Sequence, residues 1–266
     1  MIQTEHRPTS RVLDILELLS SSTEGYTLTE IADAINTPKS SIFPVVHTLN
    51  QRRFISINKQ TSKYIIGINT FAVSSCYLKN LDVLDLIKEE MRHIVDEGLE
   101  TCQLGVLDKG EVLYIAKIDS LEPIRLISSV GNRLPAYCTA LGKALLCDYS
   151  SSKLRNLYPN ELKSFTKNTI TNIDVLYEQL NTIHETSIAM ECEESTQHIK
   201  CIAVPVRKDN IIVLSISVTI PTFRETPEKI ELVKKLLIQS KNKIEILLKN
   251  LNIDINSFTF LGYGND

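Results

Sequence analysis

A chain of 266 residues with 43% hydrophobic side chains holds enough apolar material for real cores and suits one large or two ordinary domains, two unequal ones being the expectation. The formal charge is −3, yet residues 34–81 contain no Asp or Glu while carrying Lys39, Arg52, Arg53, Lys59, Lys63 and Lys79, so the remainder carries −9. That split excludes a uniformly basic nucleic-acid coat protein and fits a basic reading module joined to an acidic domain.

In chain order, Ser10 can cap a first helix whose apolar residues Val12, Ile15, Leu16 and Leu19 recur at helical spacing, with Ser20-Ser21-Ser22 and Gly25 ending it. Thr27-x-x-Glu30 is a capping box that opens a short helix through Ile35, because hydroxyl and carboxylate can satisfy each other's orphan N–H groups. Asn36 breaks it. Thr37-Pro38 then starts a third helix as cap and first residue, a position where proline's missing N–H is harmless, and this helix runs to about Gln51. Phe54, Ile55, Ile57 and then Tyr64, Ile65, Ile66 read as two strands around a polar turn at Asn58 to Ser62. Helix, helix, turn, helix, hairpin is the order of a winged helix-turn-helix, here over residues 8–70. Residues 71–95 are helical in pattern and are read as linker and dimer contact, with Leu81, Leu84, Ile87 and Met91 available for a hydrophobic seam.

Beyond Thr101 strands and helices mix. Cys102 to Leu107, a turn at Asp108-Lys109-Gly110, Val112 to Ile118 and Ile124 to Val130 imply an antiparallel meander. Helices follow at about 139–148 and 174–186, then strands at Ile199 to Arg207 and Ile211 to Ile220, then a long helix from Pro227 to Leu251. The fold class is α+β, with helices packed on an antiparallel sheet over residues 96–252 and a poorly ordered tail beyond Asn252. The six cysteines are scattered without a CxxC pair, which suits a reducing cytoplasm. Residues 1–8 lack the apolar core of a signal peptide, and the longest apolar run, Ile211 to Ile220, is too short to cross a bilayer, so neither secretion nor membrane insertion is expected.

The acid-free window asks for a cause, since 32 carboxylates spread evenly would place roughly six in it. A surface that lies on duplex DNA gains from Lys and Arg and is repelled through every carboxylate; charge alone fits a solvated basic face equally well. The third helix supplies the discriminating pattern. Ile42, Val45, Val46 and Leu49 share one sector and face the core, while Ser40, Pro44, His47 and Gln51 lie opposite, flanked by Ser41, Phe43 and Thr48. Those groups can bond phosphates or base edges, or touch a thymine methyl. With Thr29 on the preceding helix, Lys39, Arg52 and Arg53 at the ends of the reading helix, and Lys59 and Lys63 on the hairpin, they form the expected DNA contact set. Pro44 removes the backbone bond to the Ser40 carbonyl at a cost of about 3 kcal/mol and should leave a kink or irregular turn.

The segments Thr27 to Ile35 (TLTEIADAI), Pro38 to Leu49 (PKSSIFPVVHTL), Val130 to Leu145 (VGNRLPAYCTALGKAL) and Cys201 to Val206 (CIAVPV) resemble the IclR family of bacterial transcription regulators, over nearly the whole chain. The resemblance implies a winged helix-turn-helix joined by a linker helix to a GAF-like effector-binding domain, working as a homodimer or dimer of dimers. Pro44 departs from the family, which commonly places Arg or another polar residue there, and this bears on which bases are read.

A candidate pocket follows. Thr139 precedes a helical run, so the N–H groups near Ala140, Leu141 and Gly142 point outward at the positive end of the helix dipole and suit an anion. A three-residue turn at Lys208-Asp209-Asn210 would set Cys201 opposite Ser217 and Ala203 opposite Ser215, all on one polar sheet face; a two-residue turn would break that pairing. The bland alternative is a half-exposed strand with its serines in water. The resemblance implies effector contact through the backbone of Ala140 and Leu141 and the side chains of Cys201, Ser215 and Ser217, with a small carboxylate as the favoured ligand. Glu191, Glu193 and Glu194 resemble the family's acidic run, with a loop role as well supported as ligand contact. Cys192, His198 and Cys201 fit no zinc signature, and neither metal nor cofactor is expected.

The reading is a cytoplasmic, sequence-specific regulator bound to double-stranded DNA at a pseudo-palindromic operator, its affinity set by a small-molecule effector through linkage. The competing reading is a GAF-like enzyme with Cys138 or Cys201 as nucleophile, against which stands the lack of a His and carboxylate placed to activate either thiol.

Overall fold

The computed structural model describes residues 6–77, 81–123 and 129–250, and the chain forms two compact units that divide at Leu81 and Asp82. Lys79, the side chain of Leu81, most of the strand expected over Ile124 to Val130, and the tail beyond Asn252 lie outside the described residues; Ser129 and Val130 are not in a strand.

The first unit contains α1 (Arg7–Ser20), β1 (Tyr26–Thr27), α2 (Leu28–Ala34), α3 (Lys39–Gln51), β2 (Ile55–Asn58), β3 (Lys63–Ile66) and α4 (Ile68–Tyr77). Its core is one cluster in which Ile15 and Leu19 of α1, Ile31 of α2, Ile42, Val46 and Leu49 of α3 and Ile55 of β2 meet. The capping box forms: Thr27 N–H donates to Glu30 Oε2 at 2.7 Å and Glu30 N–H to Thr27 Oγ1 at 3.3 Å. Two caps differ from expectation. Helix α1 starts a turn earlier than Ser10, with Pro8 in its first turn, where a missing N–H costs nothing. Helix α3 has Pro38 rather than Thr37 at its N-cap, and the Thr37 hydroxyl donates to the Ile35 carbonyl at 3.1 Å instead of capping the helix. The wing gains a third strand, in order β1-β3-β2, as Tyr26 and Thr27 pair with Tyr64 and Lys63. Gly25 makes that turn at φ +75°, and a Cβ there would lie 2.2 Å from the Tyr64 carbonyl oxygen.

The second unit is built on a six-stranded antiparallel sheet, β6-β5-β4-β9-β8-β7, from β4 (Thr101–Asp108), β5 (Glu111–Ile118), β6 (Arg133–Pro135), β7 (Ala189–Cys192), β8 (Ile199–Lys208) and β9 (Ile211–Pro221). One face packs against α5 (Leu81–Gly98) and α9 (Pro227–Asn250). The other carries α6 (Ala140–Leu146), α7 (Ser151–Leu157) and α8 (Ile173–Thr186). Ile87 and Met91, expected in a dimer seam, are instead fully buried in the core of this unit, and Leu84 packs against it. The same apolar stripe that could meet a second helix meets the sheet.

The β8–β9 hairpin corrects the expected register. Its turn is the two residues Asp209 and Asn210, both at positive φ, with Lys208 opposite Ile211. The pairing then shifts between Val206 and Arg207, whose partners are Leu214 and Ile212, leaving Val213 as the extra residue of a bulge. Cys201 therefore faces Thr219, Ala203 faces Ser217, and Pro205 faces Ser215. The bulge restores the side alternation that the shorter turn breaks: Ile202, Val204, Leu214, Ile216 and Val218 enter the α5–α9 core, and the serines keep the opposite side. No helix among the described residues is long and apolar enough to cross a membrane.

Candidate nucleic-acid interface and effector cavity

On α3, Ser40, Phe43, Pro44, His47, Thr48 and Gln51 are exposed and Ser41 is half-buried, while Ile42, Val46 and Leu49 are buried. Helical periodicity thus leaves a polar and aromatic face toward solvent, with Phe43 53% exposed and its ring 6.1 Å from that of His47. The helix runs on through Pro44, and the Thr48 hydroxyl donates to the Pro44 carbonyl at 2.8 Å. Thr29, Lys39 and Lys59 are also exposed.

Arg52 and Arg53 follow the last turn. Asn69 fixes their backbone, its side-chain amide donating to Arg52 O at 2.8 Å and its N–H to Arg53 O at 3.0 Å. Arg53 sits at φ +59°, a left-handed conformation that turns the chain into the wing. Lys63 is less free than its sequence context suggests: its ammonium is 3.8 Å from Glu24, which precedes the acid-free window in sequence.

In the second unit, a cavity of about 190 Å³ opens between the sheet and the start of α6. Gln103 of β4, Tyr114 of β5, Cys201 of β8 and Ser217 of β9 project into it from the sheet. Thr139, Ala140 and Leu141 close one side, and Glu191 with Ser195 and Thr196 the other. Ala140, Leu141, Cys201 and Ser217 are thus brought together. Gly142 and Ser215 are not. The Gly142 N–H is capped by Thr139 Oγ1 at 3.1 Å, and a Cβ on Gly142 would lie 2.1 Å from the Ala136 carbonyl oxygen, so this glycine serves close packing of helix on chain. Ser215, fully buried, donates to Val204 O at 3.0 Å.

Glu191 is the residue whose role the sequence left open. It is 2% exposed, and its Oε2 accepts the Glu194 N–H at 2.9 Å. Burial pushes its carboxyl up to about 7, opposed by that N–H bond and by a hydrogen bond from the Cys201 thiol. Behind it, the fully buried Lys143 ammonium holds Gln179 Oε1 at 2.9 Å and the Glu194 carboxylate. The loop after β7 is pinned by Thr169 Oγ1 donating to Glu194 O at 2.7 Å and by Glu193 Oε1 accepting His198 N–H at 2.8 Å.

Gln103 and Tyr114 escaped sequence reasoning, although a lone amide inside the apolar run Cys102 to Leu107 is a signal in retrospect. Burial pushes the Cys138 thiol up to about 12 and raises that of Cys201 well above its ordinary value, the opposite of what a nucleophile needs. Cys192 and the His198 side chain are exposed while Cys201 is half-buried at the cavity, and among the described residues no three His, Cys, Asp or Glu side chains converge as a metal site.

Residues 75–246 match the family described as bacterial transcriptional regulator IclR C-terminal, and residues 8–56 the IclR helix-turn-helix domain. The chain belongs to the IclR family. Like other members, it is a transcriptional regulator with a helix-turn-helix DNA-binding domain and an effector-binding domain, not an enzyme. It is similar to the HTH-type transcriptional regulator KdgR of Escherichia coli, 28% identical over 236 residues that span 88% of this chain and 89% of that protein. An IclR transcriptional regulator from Alicyclobacillus acidocaldarius superposes with a TM-score of 0.82 at 25% identity, over 91% of this chain and 99% of that one. An IclR homologue from Microbacterium hydrocarbonoxydans, complexed with 4-hydroxybenzoate, shares the fold at a TM-score of 0.78 and 18% identity, over 90% of this chain and 99% of that one.

Proposed function

We propose that this regulator senses a small carboxylic acid in the cavity between the sheet and α6, and that occupancy sets its affinity for a pseudo-palindromic operator read by a homodimer or dimer of dimers in the cytoplasm. The observation that carries the effector reading is the cavity itself, where Ala140, Leu141, Cys201 and Ser217, from three separate segments, meet around about 190 Å³. That volume lies below the roughly 300–1,000 Å³ of pockets for drug-sized ligands and suits a small metabolite. Amide N–H and hydroxyl groups line it, which suits a carboxylate. The acid held by the Microbacterium homologue supports the same class.

For DNA, the proposed contacts are the exposed face of α3 (Lys39, Ser40, Ser41, Phe43, Pro44, His47, Thr48, Gln51), with Thr29, Arg52 and Arg53, and Lys59 and Lys63 of the wing. A symmetric dimer places two such heads on two half-sites, and an effector that prefers one arrangement shifts operator affinity by its differential binding. Selection of binding sites from random duplexes with the full chain, with and without small acids, tests this. Two inverted half-sites and an acid-dependent affinity are expected; enrichment of no sequence, or affinity indifferent to every acid, refutes it.

A further inference from the structure

We infer that Glu191 is a proton-dependent specificity gate: the cavity accepts a carboxylate ligand only with a proton on Glu191, and with Glu191 ionised the same cavity favours ligands that present hydroxyl or amide donors. This rests on the effector reading above and assigns the chemistry by which that site discriminates.

The argument is one of charge and geometry. Among the described residues lining the cavity there is no Lys, Arg or His, so a bound anion meets dipoles and hydroxyls there, and Glu191 is the one charged residue among them. Two buried carboxyl groups, Glu191 and Glu194, stand near a single ammonium, that of Lys143. Lys143 is committed to Glu194 and Gln179. With both carboxyls ionised the group holds one excess negative charge away from water, and one proton removes it. Glu191 is the carboxyl that takes it, because the Lys143 ammonium bonds Glu194 and, among the described residues, no cation bonds Glu191. The other titratable groups that face it are Cys201 from β8, Tyr114 from β5 and Cys138 from the turn before α6, all kept neutral by burial. Burial lifts Glu191 itself to about 7, within the physiological range. Protonated, its O–H donates to a ligand carboxylate; ionised, it repels that carboxylate and accepts from a donor. Above its pKa, binding an anion therefore takes up one proton from solvent.

The test uses the full chain with acetate, benzoate and 4-hydroxybenzoate as probes and 4-hydroxybenzamide as the neutral control, titrated calorimetrically from about pH 5.5 to about pH 8.5. The affinity of any acid that binds is expected to fall about tenfold per pH unit above about pH 7, with one proton taken up there. The amide should show no such fall, and Glu191→Gln should make the acids flat. A flat acid profile in the natural protein overturns the gate while leaving the effector site standing. Binding that neither Glu191→Gln nor Ser217→Ala alters refutes the site itself. No binding by any acid at about pH 5.5 overturns both the acid class and the gate. Carbon-13 NMR of labelled glutamate reads the gate without a ligand and does not depend on the variant's yield: a carboxyl resonance titrating near neutrality is expected, and titration of every glutamate in the ordinary range overturns the inference.

Discussion

The Lys143 ammonium, on a side chain with no exposed surface, closes on the Glu194 carboxylate and so ties α6 to the loop that forms the far wall of the cavity proposed for the effector. Lys143→Met leaves Glu194 buried without its cation, and its Oε2 has no side-chain partner among the described residues to compensate. A loss of about 3–5 kcal/mol in urea unfolding is expected, with much of it recovered when Glu194→Leu is added. A loss under about 1 kcal/mol would show that the pair is solvated in solution.

Arg52 and Arg53 can be tested without disturbing the fold. Arg53 holds φ +59°, so Arg53→Gly removes the charge and relieves the backbone, whereas alanine keeps the strained conformation. Combined with Arg52→Gln, it should reduce the slope of log affinity against log salt by about 2, near 0.9 for each phosphate no longer neutralised. An unchanged slope would remove both arginines from the interface.

Ser217 and Ser215 are two residues apart on the same side of β9 and are expected to behave differently. Ser217→Ala alters the cavity wall and should weaken the effector response several-fold in an operator-binding assay, with operator affinity intact. Ser215→Ala deletes a buried bond to Val204 O and should cost about 1 kcal/mol of stability with the response unchanged. The reverse pattern would relocate the ligand.

Stability should depend on Glu191 through pH. Its folded pKa of about 7 lies above the ordinary value of 4.5, so the folded state keeps a proton that the unfolded chain has lost between those values. This contribution is full below about pH 4.5 and is lost as pH rises to about 7, by up to about 3 kcal/mol. Comparing the urea midpoints of the natural protein and Glu191→Gln across that range isolates it; parallel curves would mean that the carboxyl titrates normally.

The reading helix was legible because a single period decides it: with Ile42, Val46 and Leu49 inward, the identity of the outward residues follows. The capping box of Thr27 and Glu30 was equally local. What escaped depends on contacts between distant segments. Whether Ile87 and Met91 meet a second chain or their own sheet is not written in their spacing, since both partners want the same stripe. The turn of the β8–β9 hairpin was misjudged by one residue, and no local signal marks Val213 as the compensating insertion. Glu191 stands in an acidic run whose sequence leaves a loop role and ligand contact equally open, and only the fold around it turns one member inward while Glu194 finds Lys143.

Val213 links hairpin length to cavity chemistry. Shortening β9 by that residue alone would rotate everything beyond it, bringing Ile216 and Val218 toward the cavity and driving Ser217 and Thr219 into the aliphatic layer under α9. Insertions and deletions near Asp209 and Asn210 are therefore permitted only in compensating pairs, and in homologous sequences the frame of this hairpin should be counted from both ends before a serine is assigned to the ligand.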